Sequence, residues 1–245
     1  MNISLAAEPL FYLGSFPITN TLMMAWLIII FLSLLAGAVS FKLKSIPRRL
    51  QSVIEMLFEA VLSLMESVTE DKKQARKFFP IVATIFLFVL LSNWLEVVPG
   101  LGTVGLWQVH QGETILVPFI RSASADLNFT LALAIISVFT VQLFGIMALG
   151  AFKYAGKFIN FKNPVYFFVG ILELFAELAK IVSFSFRLFG NIFAGEVLLM
   201  VMLFLVPYVV PLPFLFLEIF VGLVQALIFS MLTLVFLKMA VTHHD

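Results

Sequence analysis

Cysteine is absent from the 245 residues, which excludes disulfides, thiol catalysis and cysteine-ligated metal centres. Charge is scarce. Asp, Glu, Lys and Arg together make up 12% of the chain, about half of the ~25% that a soluble domain carries. Histidine is limited to His110 in a connecting segment and His243 and His244 at the C-terminus, where solvated side chains without a role are expected. There is no glycine-rich phosphate loop, no zinc-ligand spacing on a helix and no Ser-His-Asp set. No catalytic site, cofactor, metal or nucleic-acid partner is therefore expected. The opening MNISLAAEPLF has no basic segment ahead of an apolar core, so no cleavable signal peptide is expected. Internal repeats and low-complexity tracts are missing as well.

What fills the chain instead is apolar: 62% hydrophobic residues, 29 of them Phe, and a mean hydropathy of +1.12. Long uncharged runs define a single all-α integral membrane domain, with about five transmembrane helices and one amphipathic surface helix. The expected spans are 22–41, 78–98, 126–152, 163–206 and 213–240. Residues 1–21 form an external N-terminus, 48–75 a cytoplasmic amphipathic segment and 99–125 an external loop. In the amphipathic segment Leu50, Val53, Ile54, Leu57, Val61, Leu64, Met65 and Val68 follow helical spacing, with Glu55, Glu59, Glu66 and Glu70 off that stripe. Packing on the protein itself and contact with lipid fit this pattern equally well.

The basic residues give the orientation, because cytoplasmic loops collect Lys and Arg. With the N-terminus outside, Lys42, Lys44, Arg48, Arg49, Lys72, Lys73, Arg76, Lys77, Lys153, Lys157, Lys162 and Lys238 all fall on the cytoplasmic side. Only Arg121 falls outside. Lys238 keeps its side only if 163–206 crosses once, as a helix of roughly 65 Å that must tilt steeply, instead of breaking near Gly190-Asn191.

That span carries Glu173, Glu177, Lys180, Arg187 and Glu196. Each ionisable group near a bilayer centre costs about 2.5–3.5 kcal/mol, so the set costs on the order of 15 kcal/mol. Internal ion pairs that only hold helices together would be a weak reason for such a cost, and an ion path is expected. Glu173, Glu177, Lys180, Phe184, Arg187 and Asn191 recur every three or four residues along one stripe. Glu196 lies about 900° of rotation, half a turn, and ~13 Å further on. The offset suggests two half-paths that meet near Arg187. On the last span Glu218 and Gln225 share a face; antiparallel packing would bring Glu218 level with Glu196, and Gln225 towards Arg187. Two carboxylates close together in a low dielectric cannot both ionise cheaply, which suits proton relay. Arg187 stays charged, so it can only be a barrier or a partner. Asn93 and Glu96 end the second span while Asp126 and Asn128 begin the third. They could line a water-filled inlet, and a helix cap explains Asp126 equally well. Ser183 and Ser185 could line a path or bond to backbone carbonyls.

The run SFRLFGNIFAGEVL, Ser185 to Leu198, resembles the signature of subunit a of the F-type ATP synthase membrane sector. So do VGLVQALIFSMLTLVFL from Val221, NPVYFFVGILELFAELAKIVSFSF ahead of the arginine, and SADLNFTLAL at the start of the third span. The resemblance covers most of the chain from Asn93 onward. It implies a proton-translocating, non-catalytic subunit beside a rotating ring of c subunits, with a b-subunit peripheral stalk as a further partner. It also implies a bacterial inner membrane and long, tilted last helices. Arg187 matches the essential arginine, Asn191 and Gln225 its polar neighbours, and Glu196 and Glu218 the outer half-channel pair. Glu173, Lys180 and Ser183 match positions near the inner half-channel, beside Glu177. Position 218 is His in some family members. The coupling ion, H⁺ or Na⁺, is set by the ring and not by this chain. Two rivals remain: an anion transporter, which would need inverted repeats that are not seen, and a purely structural stator subunit, against which the offset faces argue.

Overall fold

The computed structural model describes residues 7–41, 49–98, 104–110, 113–158 and 164–242. Lys42, Lys44, Arg48, Pro99, Gly100, Lys162, His243 and His244 lie outside these residues. The described chain forms, in order, β1 (Pro9–Leu13), β2 (Phe16–Thr19), α1 (Asn20–Phe41), α2 (Arg49–Thr69), α3 (Lys72–Val97), β3 (Gly105–His110) and β4 (Glu113–Pro118). A 3₁₀ turn (Ala123–Ala125) then leads into α4 (Leu127–Leu149), α5 (Ala151–Phe158), α6 (Pro164–Leu205) and α7 (Pro211–Val241). Five of the helices, α1, α3, α4, α6 and α7, are long and apolar enough to cross a membrane. Apart from two antiparallel hairpins, β1–β2 and β3–β4, the architecture is that of an all-α multi-pass membrane protein.

Local chemistry sets the helix ends. Thr69 ends α2, and Glu70 takes a left-handed φ of 58°. Asp71 then caps α3 by accepting from the Lys73 and Gln74 backbone N–H groups at 2.8 and 3.4 Å. Hence α3 begins at Lys72, ahead of the expected 78, and the basic cluster Lys72, Lys73, Arg76 and Lys77 belongs to its first turns. Asp126 starts α4 in the same way, accepting from Asn128 N–H at 2.9 Å. Gly150, at a φ of 84°, ends α4 and splits the expected 126–152 segment. The segment expected as an external loop contains the β3–β4 hairpin and the buried 3₁₀ turn.

The bundle is centred on α3 and α7. Phe78, Val82 and Val89 of α3 pack with Leu234 and Leu237 of α7, Ala134 and Val141 of α4, and Leu188 and Ile192 of α6. Met24, Ala25 and Ile28 of α1 form a second cluster with Ala123. Helix α2 lays Val61 and Met65 on this core but leaves Val53, Met56 and Leu57 exposed. Lys238, in the last turn of α7, donates to the Val68 carbonyl at 3.1 Å and ties α2 down. Self-packing thus accounts for Val61, Met65 and Val68 of the stripe and leaves Leu64 exposed.

Helix α6 is one unbroken run of 42 residues, through Gly190-Asn191. At 1.5 Å per residue it is about 63 Å long, twice a bilayer's hydrocarbon core, so it must lean or project. It is also the least covered: 11% of its most apolar stretch is buried inside the chain, against 50% for α3.

Candidate functional site

The phase of α6 against the bundle decides which of its polar groups meet. Gly170, Glu177, Phe184, Ser185, Leu188 and Ile192 face inward. Ser183, Arg187 and Asn191 are exposed, and Glu173 and Lys180 lie half-buried between the two sets. The stripe read from the sequence therefore runs along the edge of the packed face and divides there. Ala176, Ala179, Ser183, Gly190 and Ala194 share the exposed flank with Arg187 and Asn191. Phe175, Leu178, Val182 and Phe186, all exposed, form a separate bulky flank. Among the described residues Arg187 has neither an ion-pair nor a hydrogen-bond partner.

On one side of Arg187, towards the end of the bundle that carries Lys238, Lys180 donates to Glu177 Oε1 at 2.7 Å. Its ammonium also stands 4.5 Å from the centre of the Phe236 ring. Glu177 Oε2 is buried and unbonded. Tyr154, on the short helix α5 beyond the span, is buried and donates to Gln142 Oε1. Burial, followed by the charges of Glu177 and Glu173, pushes the Tyr154 phenol up to about 12. Tyr154 was not legible as a site neighbour in the sequence, since only the reversal at Gly150 brings it back onto α4. Ser185 shares a 3.0 Å hydrogen bond with Thr130 of α4 and is fully buried, so it joins helices.

On the other side the polar groups come from four elements. Arg121, just before the 3₁₀ turn, grips Glu196 with Nε 3.0 Å from Oε1 and Nη2 3.0 Å from Oε2. The two side chains are 10% and 19% exposed. Glu218 of α7 is 6% exposed, and among the described residues neither carboxyl oxygen has a hydrogen-bond partner. A Cβ added to Gly195 would stand 2.9 Å from Glu218 Oε1, so Glu218 lies level with Glu196, as antiparallel packing predicts. A cavity of about 220 Å³ opens here, lined among others by Asn191, Gly195, Leu198, Phe214 and Glu218.

Gly222 lets α3 and α7 approach closely, and Asn93 Nδ2 donates to its carbonyl at 3.0 Å. Asn93 Oδ1 is buried and unbonded. Asp126 is 8% exposed. Besides capping α4 it accepts from the Thr21 hydroxyl at 2.9 Å. Glu96 lies in the last turn of α3, and its side chain is outside the described residues. Gln225 is buried on α7. It sits two turns, roughly 10 Å, below Glu218 and so near the level of Leu188, the neighbour of Arg187. The pairing that sequence reasoning missed is Arg121 with Glu196. Its only signal was that Arg121 is the one basic residue expected on that side.

Among the described residues, five apolar spans, one unpaired guanidinium within a span and buried carboxylates on either side of it define a multi-pass membrane protein of the ion-handling class. The chain belongs to the ATP synthase A chain family, whose pattern matches residues 21–238. It is 33% identical over 237 residues to ATP synthase subunit a of Moorella thermoacetica, covering 96% of each chain. It is 37% identical over 212 residues to the Helicobacter pylori subunit a, covering 85% of this chain and 83% of that one. Campylobacter curvus subunit a is 35% identical over 215 residues, 88% and 87% of the two chains.

Proposed function

We propose that this chain is the ion-translocating, non-catalytic subunit a of an F-type ATP synthase. It supplies two offset half-channels and an arginine that faces a rotating ring of c subunits. The observation that carries this reading is the position of Arg187: an unpaired cation on an exposed, small-residue flank of α6, between polar groups on opposite sides. Small residues let another helix approach closely within a membrane, and a ring helix bearing a carboxylate would supply the missing anion. Opposite charges ~4 Å apart at an effective dielectric of 20 gain about 4 kcal/mol. That favours release of the ring carboxyl's proton by about a thousandfold while it faces Arg187. Once rotated away into lipid, the carboxylate has no cation and takes a proton back.

Glu196, Glu218, Asn93 and the cavity beside Asn191 make up the outer half-path, with Glu96 and the Asp126 cap at its mouth. Glu173, Glu177, Lys180 and Ser183 make up the inner one, and Gln225 and Asn191 flank the arginine. The chain sits in a bacterial inner membrane with its N-terminus outside and Lys238 at the cytoplasmic end, as the distribution of Lys and Arg favours. The c-ring and a b-subunit stalk are its partners in this reading, and the ring's own ligands select H⁺ or Na⁺. Arg187→Ala should lower ATP-driven acidification of vesicles holding the whole complex by at least about 100-fold, with subunit content unchanged. Normal coupled pumping by that variant would refute the reading.

A further inference from the structure

The two carboxylates of the outer cluster are held in opposite ways. Glu196 is gripped at both oxygens by Arg121, whereas Glu218, level with it across Gly195, has no donor at either oxygen. Arg121 itself is firmly mounted. The residue after it, Ser122, donates to the Ser92 carbonyl at 3.3 Å, and Ser124 donates to the Ser92 hydroxyl at 3.2 Å. Ser122, Ala123, Ser124 and Ala125 are all buried. Nearby in the chain, Asp126 has one oxygen on Asn128 N–H and the other on the Thr21 hydroxyl.

We infer that Arg121 is a positioning residue for ion transfer: it keeps Glu196 as a fixed anion beside Glu218, so that Glu218 alone takes up and releases the proton. This rests on the outer half-path proposed above. Neutralising Glu196 would remove the bidentate partner of a permanently charged guanidinium that is 10% exposed, the costly way to break a buried pair. Among the described residues no cation pairs with Glu218, so neutralising it breaks no ion pair. The Arg121–Glu196 pair is close to neutral overall, so it holds Glu196 ionised and leaves Glu218 as the carboxylate free to exchange a proton at the cavity. The arrangement divides the labour: one carboxylate stays ionised in its ion pair and the other carries.

The test uses ATP-driven acidification of vesicles holding the complete complex, with subunit content measured in parallel. Arg121→Gln should pump about tenfold or more below wild type, and Arg121→Lys, which keeps the charge without the fork, within about threefold of it. Because Arg121 acts through Glu196, the double variant Arg121→Gln with Glu196→Gln should be no worse than the poorer single one. The charge swap, Arg121→Glu with Glu196→Arg, preserves the ion pair but moves the anion off α6. It should assemble and still pump as poorly as Arg121→Gln.

A purely structural pair would instead be rescued by the swap, and near-normal pumping there overturns the inference. So do losses that multiply in the double variant, or pumping by Arg121→Gln within twofold of wild type. If Arg121→Gln fails to assemble, the swap still decides. Arg187→Ala in the same vesicles separates the two claims. If it is inactive while the swap pumps, the Arg121 inference alone falls; if it pumps normally, the underlying reading falls first.

Discussion

At Gly195 a single added carbon would come within 2.9 Å of the Glu218 carboxyl, so the glycine is there to leave room for an acid. An acid with two unbonded, buried oxygens is expensive to keep charged and useless as a structural tie. Its worth lies in changing protonation. Glu218→Gln should therefore leave assembly intact, since a neutral amide of the same size fills the same space. Pumping should nevertheless fall by about 100-fold. Glu218→His, which keeps a titratable group, should retain a measurable share of the wild-type rate. Equal rates for the Gln and His variants would show that no proton resides at this position.

Glu218 stood out in the sequence as an acid within an apolar span. Its relation to Glu196 was legible too, because helix geometry and antiparallel packing place both at one level. The Arg121 grip was not. It joins residues 75 apart in the chain through an irregular segment, where no periodicity relates one side chain to another. The division of the α6 stripe escaped for a related reason. Spacing shows that Glu177, Phe184 and Arg187 share a broad stripe, but not where the edge of the neighbouring helices falls across it.

Among the elements, the α4–α5 corner shows how a turn prepares the inner side. Gly150 at a φ of 84° turns the chain, and Tyr154 folds over Gly145 so closely that a Cβ there would overlap its ring. Gly145→Val should thus cost about 2 kcal/mol or more, read as a lower thermal inactivation midpoint of the solubilised complex. Adding Tyr154→Ala removes the collision and should recover part of that loss. If the double variant is less stable than Gly145→Val alone, Tyr154 is not what the glycine accommodates. Long uncharged runs revealed the five spans, because burial in lipid leaves few alternatives to a helix, and helical spacing revealed the amphipathic stripe. The two hairpins escaped because their strands, PLFYL, FPIT, GLWQVH and ETILVP, are short and largely apolar, without an alternating pattern.

For the whole molecule, the question is what covers α6. A 42-residue helix that buries 11% of its most apolar stretch within its own chain has two exposed flanks, one bulky and apolar, the other of small residues around Arg187. Lipid tails suit the first. The second carries a charge that lipid does not satisfy and a shallow surface that a second helix can approach. The absence of cysteine allows a clean test, because one introduced thiol is the only one in the chain. Cysteines placed at Ser183, Asn191 or Ala194 should react at least about tenfold more slowly with a membrane-permeant maleimide in the whole complex than in the isolated chain. Cysteines at Leu178 or Val182 on the bulky flank should react alike in both. Equal rates on the two flanks would mean that no partner covers Arg187, and the coupling of this chain to a rotor would have to be sought on another face.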